Sequence, residues 1–183
     1  MKGDLKNNAK SNITLSIDNQ LVRQLRNEAE SQGLSINAKV SSILSKYVMF
    51  YKDTEQEKYV TMPQKMYATL LDEINEEKLR RLINMRSLEM MLSIFVRNNI
   101  QFTMDNLIKR CFQGFSLWSG IYNNFQYYRD ANNDLCLVFE HSFGEKWSKI
   151  LGENVTNLIG EMLNLPAEYQ AIMNTLLVKV KDK

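Results

Sequence analysis

Few residues in this sequence could carry catalysis or hold a metal ion. It contains one histidine, His141, and two cysteines, Cys111 and Cys136, which do not form a Cys-x-x-Cys pair. One histidine and two separated thiols supply neither a structural zinc site within one chain nor a disulfide framework. Ser116 lies in the run Gly-Phe-Ser-Leu-Trp, in which Trp118 replaces the second glycine of a nucleophile elbow. We therefore predict no catalytic residues, no metal, no cofactor and no enzymatic activity.

Ligand or proton sensing is a second kind of chemistry that the C-terminal half could support. His141 stands at a predicted strand-to-helix junction beside a glycine, where a sensor could be built. Aromatic residues of this half could line an apolar pocket. The alternative is that Ser142 only caps the helix and that Trp147 and the other aromatic residues are plain core. The candidate sensor residues are His141, Trp118 and Trp147, and the wider aromatic group is Phe112, Phe115, Trp118, Tyr122, Phe125, Tyr127 and Tyr128.

Charge is distributed unevenly along the chain. The net charge is +2, which by itself indicates nothing. Residues 1–52 hold eight Lys and Arg against four acidic residues, whereas the remainder holds 15 against 17. An excess of positive charge at one end favours contact with a polyanion such as nucleic acid.

The elements that would position this basic end follow from the pattern of residues 11–50. Polar and apolar residues alternate from Asn12 to Ile17, which predicts a half-buried strand over residues 11–17 with Ile13, Leu15 and Ile17 on one face. Asp18 can cap a first helix that Gly33 ends, and Ser35 can cap a second helix. The apolar positions of these helices recur at helical spacing: Leu21, Val22, Leu25 and Ala29, then Val40, Ile43, Leu44, Tyr47 and Val48.

This strand-helix-helix unit cannot be stable alone. About forty residues with one strand bury too little surface, and a lone strand leaves both of its edges unpaired. Pairing the strand with its copy in a second chain solves both problems. The sequence therefore predicts a homodimer or a higher homo-oligomer with an intermolecular two-stranded antiparallel ribbon.

The unit resembles the ribbon-helix-helix transcription regulators, the family of the Met and Arc repressors and of CopG-type plasmid regulators. The resemblance covers about forty of the 183 residues. No single position is diagnostic, and the order and spacing of the residues carry the resemblance. They are residues 12–17, then Leu21, Leu25 and Ala29, then residues 33–37, then Val40, Ile43 and Leu44.

The resemblance implies how such a dimer would bind double-stranded DNA. The outer face of the ribbon enters the major groove, so Asn12, Thr14 and Ser16 would contact base edges. This strand contains no Arg or Lys, the side chains that commonly read guanine. The phosphate backbone would be held by the start of the second helix and by preceding lysines. These candidate phosphate contacts are Lys6, Lys10, Ser35, Ile36 and Asn37.

The remainder of the chain predicts a second, mixed domain. Helical patterns follow Pro63, with separate helices on either side of residue 87, and Thr103 can cap a further helix. Residues 125–129 and 135–139 read as a hairpin, followed by a long helix that ends before Pro166 and by a closing strand at residues 175–180. The expected fold is mainly α with an α+β part. Its expected domains are a flexible basic tail (1–10), a ribbon-helix-helix domain (11–50), a linker (51–62) that could hold a short strand at 59–62, and a C-terminal α+β domain (63–183).

These observations favour a dimeric, sequence-specific DNA-binding transcription regulator whose C-terminal domain binds a small-molecule effector, oligomerises, or both. An antitoxin-type regulator that binds DNA through the same ribbon and a partner protein through the rest is the alternative. An enzyme with a DNA-binding arm is a third possibility that no catalytic constellation supports. No signal peptide or membrane segment is visible, so we expect a cytoplasmic protein without membrane contact.

Overall fold

The structure, a computed structural model, describes residues 12–57 and 59–181. The chain divides into two compact units, Met1–Ser45 and Lys46–Lys183. The first contains the helices α1 (Asn19–Ser31) and α2 (Ile36–Lys46), although the last residue of α2 belongs to the second unit.

The two helices begin and end as their sequence predicts. Asp18 Oδ1 accepts hydrogen bonds from the backbone N–H of Gln20 and of Leu21, at 2.7 and 3.3 Å, and so caps α1. After α1 the chain turns through Gly33, whose φ of +66° is one that L side chains rarely adopt. The Leu34 N–H closes this turn by donating to the carbonyl of Ala29 at 2.8 Å.

Residues 12–18 form no regular secondary structure in the single chain. A β-strand is defined by its hydrogen bonds to a neighbouring strand, and the described part of this chain offers no such neighbour to the segment. The predicted strand is therefore not formed in the single chain, and its pairing with a second copy stays a prediction.

The second unit begins with helical segments. Residues 47–51 are π-helical, and α3 follows directly, so part of the predicted linker is helix. Residues 59–63 form no strand. The helix α5 is continuous through residue 87, where the sequence predicted a break. Within the helix the Ser87 hydroxyl donates to the carbonyl of Ile83, so the side chain does not compete for the backbone groups of a turn. The segments are Tyr47–Tyr51 (π), α3 (Lys52–Glu57), α4 (Gln64–Glu73), α5 (Glu76–Arg97), α6 (Met104–Asn106), Leu107–Ser116 (π) and α7 (Leu117–Ser119).

A four-stranded antiparallel sheet and one long helix complete this unit. The elements are β1 (Asn124–Arg129), β2 (Leu135–Glu140), α8 (Gly144–Leu163), β3 (Ala167–Ile172) and β4 (Thr175–Val180). The strand order is β1-β2-β4-β3, so the predicted hairpin and closing strand are confirmed. β3 was not predicted. The protein is thus a mixed α+β protein, as its sequence indicates.

The core of this unit extends from the interface between α8 and one face of the sheet to side chains of α5 and of residues 107–116. Leu137 and Phe139 of β2 pair in register with Val178 and Leu176 of β4, and all four side chains are fully buried. α8 packs against β3, β4 and α5. Thr103 caps α6 by accepting from the N–H of Asn106 at 3.2 Å, as predicted. No helix among residues 12–57 and 59–181 is long and apolar enough to cross a membrane.

Candidate functional site

The residues predicted to read DNA bases are accessible in the single chain. Asn12, Thr14 and Ser16 are all exposed. Of the predicted phosphate contacts, Lys6 and Lys10 lie outside the described residues, and Ser35 and Asn37 are exposed while Ile36 is partly exposed.

The start of α2 has the geometry of an anion-binding helix N-terminus. Ser35 Oγ accepts from the N–H of Ala38 at 3.2 Å, which confirms its role as the cap. The first N–H groups of a helix have no partner within the helix, so those of Ile36 and Asn37 remain able to meet an anion. The nearby Lys39 is committed elsewhere, because its Nζ lies 2.6 Å from Glu28 Oε1 and ties α2 to α1.

Apolar side chains of the first unit are unusually exposed. Among residues 12–45, Ala29 is the only buried residue. On the predicted strand Ile13 is 75%, Leu15 58% and Ile17 39% exposed. The other exposed apolar side chains are Leu21 on α1, Ile43 and Leu44 on α2, and Leu34 in the turn between the two helices. Many large apolar side chains are thus left in contact with water on a unit of this size.

The hydrogen bonds of His141 explain why it is buried. The backbone N–H of Phe143 donates to its Nδ1 at 3.2 Å, so the ring proton lies on Nε2. Nε2 then donates to Ser148 Oγ at 2.8 Å, and the Ser148 hydroxyl donates to the carbonyl of Met173. Both ring nitrogens are therefore satisfied within the protein.

Burial sets the protonation state of His141. Desolvation lowers its pKa from 6.5 to about 4, since a buried imidazolium would lose its hydration. The imidazole is consequently neutral at pH 7 and ties the start of α8 to the β3–β4 turn. His141 lines neither of the two cavities described next.

Two adjoining cavities lie within the second unit. The first, of about 380 Å³, lies between α4, α5 and α8. The second, of about 750 Å³, shares Tyr59, Tyr67, Ser119 and Ile121 with it. Each volume falls within the range of small-molecule pockets, about 300–1,000 Å³.

The predicted tryptophans are divided between these cavities. Trp147 lines the first and Trp118 the second. Trp147 is also a core residue, 2% exposed, and its Nε1 donates to the carbonyl of Ile121 at 3.0 Å. The structure thus places Trp147 in the core, and its role as a sensor residue stays a prediction. Ser142 does not cap α8, whose N-cap residue is Phe143, because its hydroxyl instead accepts from Asn123 Nδ2 at 3.2 Å.

Tyr67 is one of the cavity residues that the sequence did not predict. It lines both cavities, and its ring meets those of Phe143 and Trp147 edge-on, with centroids 5.5 and 6.0 Å apart. Its hydroxyl forms no hydrogen bond with the described residues. Burial raises its pKa to about 12, so the phenol keeps its proton. At its position in α4 the residue resembles any core-facing aromatic, so no local signal could have identified it.

Within residues 12–57 and 59–181, no group of three or more His, Cys, Asp and Glu side chains could hold a metal ion.

Comparison of the chain with protein-family models, with curated proteins and with solved structures found no significant match.

Proposed function

We propose that the protein is a dimeric, sequence-specific DNA-binding transcription regulator. Residues 12–17 of two chains would pair as an antiparallel ribbon that enters the major groove. The second unit would bind an effector, oligomerise, or both.

The exposed apolar side chains of the first unit carry this proposal. Ile13, Leu15 and Ile17 alternate with polar residues, so a strand through them would have one apolar and one polar face. Leaving these side chains in water is unfavourable, and the other exposed apolar residues of the unit lie on α1, on α2 and in the turn between them. A second copy supplies an apolar face of matching pattern and an unpaired strand edge together.

The polar face would then provide the base contacts. Asn12 can donate to and accept from adenine, and the methyl group of Thr14 can contact that of thymine. The N–H groups of Ile36 and Asn37 would hold a phosphate at the start of α2. Phosphate contacts fix position without reading sequence, whereas base contacts carry the specificity.

Binding measurements with variants of both classes test the proposal. An operator is first selected from a random DNA pool, and binding to it and to random DNA is then measured by fluorescence anisotropy at two salt concentrations. Asn12→Ala and Thr14→Ala should each lower the ratio of operator affinity to random-DNA affinity by about fivefold or more, because each base contact contributes about 1–3 kcal/mol. Lys10→Ala should weaken both affinities alike and reduce the salt dependence.

Lys65→Ala, a lysine of the second unit, is the matched control and should change neither affinity. If the pool yields no enriched sequence, or if Asn12→Ala and Thr14→Ala leave the ratio unchanged, the ribbon does not read DNA. Purification with a stoichiometric partner protein would instead favour an antitoxin-type regulator.

A further inference from the structure

We infer that the first cavity of the second unit binds a neutral, mostly apolar small molecule whose hydrogen-bond acceptor meets the Tyr67 hydroxyl. Only the regulatory consequence of this binding rests on the proposed function. Binding itself involves residues of the second unit alone and can be measured without DNA.

The lining of the cavity determines the apolar character of the ligand. Aliphatic, thioether and aromatic side chains converge there from α5, α8 and the loop before α4. They include Ile83, Met90 and Met91 on α5, Leu151 and Leu158 on α8, and Tyr59 in the loop. Flexible methionine side chains adapt to the shape of a ligand, and aromatic rings offer flat faces for stacking.

The charges around the cavity favour a neutral ligand. None of its lining residues is acidic, so nothing there would pair with a cation. Arg86 is its one basic lining residue. Because the guanidinium of Arg86 lies 2.8 Å from Glu89 Oε2 and its side chain is 71% exposed, the charge is already paired and hydrated.

Two polar groups remain to orient a ligand. The Tyr67 hydroxyl has no partner among the described residues, and a phenol that stays protonated is a hydrogen-bond donor. Asn154, 7% exposed, donates from Nδ2 to Asn84 Oδ1 at 3.3 Å and also to Ser87 Oγ. Its amide oxygen is therefore the group left to accept. A ligand acceptor such as a ketone or ester carbonyl at Tyr67 would accept the hydrogen bond for which the hydroxyl has no protein partner.

Prodan, a neutral naphthyl ketone, is the probe for this site. Its emission moves to shorter wavelength in apolar surroundings and to longer wavelength when its carbonyl accepts a hydrogen bond. The wild-type protein should bind it saturably, one molecule per chain. Tyr67→Phe should weaken binding about three- to tenfold, the effect of one neutral hydrogen bond, and should shift the emission of the bound probe further to the blue. Tyr127→Phe, a change on the exposed face of β1, should do neither.

A cavity-filling variant locates the probe. Ile83→Trp should lower the affinity at least tenfold, whereas Leu92→Trp on the same helix but outside the cavity should leave it unchanged. Circular dichroism and thermal unfolding identify the variants that remain folded. If Ile83→Trp does not fold, Tyr67→Phe still tests the site, because it adds no volume to the cavity.

Three results would overturn the inference. The first is the absence of saturable binding, and the second is equal binding by Tyr67→Phe with unshifted emission. The third is an affinity for prodan that falls as the protein concentration rises, because a second copy of the chain would then occupy the cavity. None of these measurements includes DNA, so a failure here is separable from a failure of the operator experiment.

Discussion

At the scale of single residues, His141 shows how the tertiary environment decides what a titratable side chain does. Its sequence position suggested a proton sensor. Its two ring nitrogens are satisfied by Phe143 and Ser148, and burial lowers its pKa from 6.5 to about 4. A group held neutral in this way couples stability to pH and does not report on pH near neutrality.

This coupling predicts a pH-dependent stability with a definite sign. As the pH falls from 6.5 towards 4, the unfolded chain binds a proton at His141 and the folded chain does not. The free energy of unfolding should therefore decrease by about 2 kcal/mol between pH 7 and pH 5 on account of this residue. Urea unfolding of the wild type and of His141→Gln at each pH isolates the contribution, because the variant lacks the titrating ring.

The chain contains one histidine, so its imidazole proton resonance can be followed by NMR without assignment. An imidazole that titrates near pH 6.5 in the folded protein would contradict the buried, neutral state.

At the scale of elements, the contact of α8 with β3 depends on a glycine. A Cβ on Gly152 would overlap the ring of Tyr169 on β3, whereas a Cβ on Gly160 of the same helix would meet nothing within 4 Å. The close approach of helix and strand at Gly152 is therefore a requirement that helix propensity alone would not reveal.

The two glycines should respond oppositely to the same substitution. Gly152→Ala should lower the free energy of unfolding by about 1–3 kcal/mol, because Tyr169 must move. Gly160→Ala should raise it by about 0.5–1 kcal/mol through the higher helix propensity of alanine. Chemical denaturation of the two variants measures both values. A stabilising Gly152→Ala would mean that the Tyr169 ring moves at no cost.

At the scale of the whole molecule, the two units differ in how well they bury apolar surface. The second has a core of fully buried side chains from α8, β2 and β4. The first buries Ala29 alone among residues 12–45. A unit with so small an interior buries little apolar surface to stabilise it, which is why we propose that a second copy covers it.

The proposed ribbon predicts that dimerisation depends on one face of residues 12–17. In a symmetric dimer, Leu15→Asn removes one apolar side chain from each of the two chains. It should raise the dimer dissociation constant by about a hundredfold or more, since each buried leucine contributes about 1.5–3 kcal/mol. Ser16→Asn, on the opposite face, is the matched control and should leave the constant nearly unchanged. Analytical ultracentrifugation over a range of concentrations measures all three proteins, and an unchanged constant for Leu15→Asn would exclude the ribbon as an interface.

The sequence by itself determined the features that depend on near neighbours. Asp18, Ser35 and Thr103 cap helices where their types predict, because a cap bonds to an N–H two or three residues away. The β1–β2 hairpin follows from two short apolar runs and the turn between them. The alternation of β3 is also present, but alanine at residues 167 and 171 has little strand preference, so the strand was missed.

Contacts between residues that are far apart in the sequence were revealed only by the tertiary structure. Tyr67, Ile83 and Asn154 meet around one cavity although they come from three helices, and no spacing in the sequence records that meeting. The sequence likewise did not predict the hydrogen-bond partners of His141 or the contact of the Tyr169 ring with Gly152. Caps and turns are made by bonds between neighbours, which the sequence specifies directly. Cavities, proton positions and close helix–strand contacts depend on how whole elements pack, and packing is set by the sum of many long-range contacts.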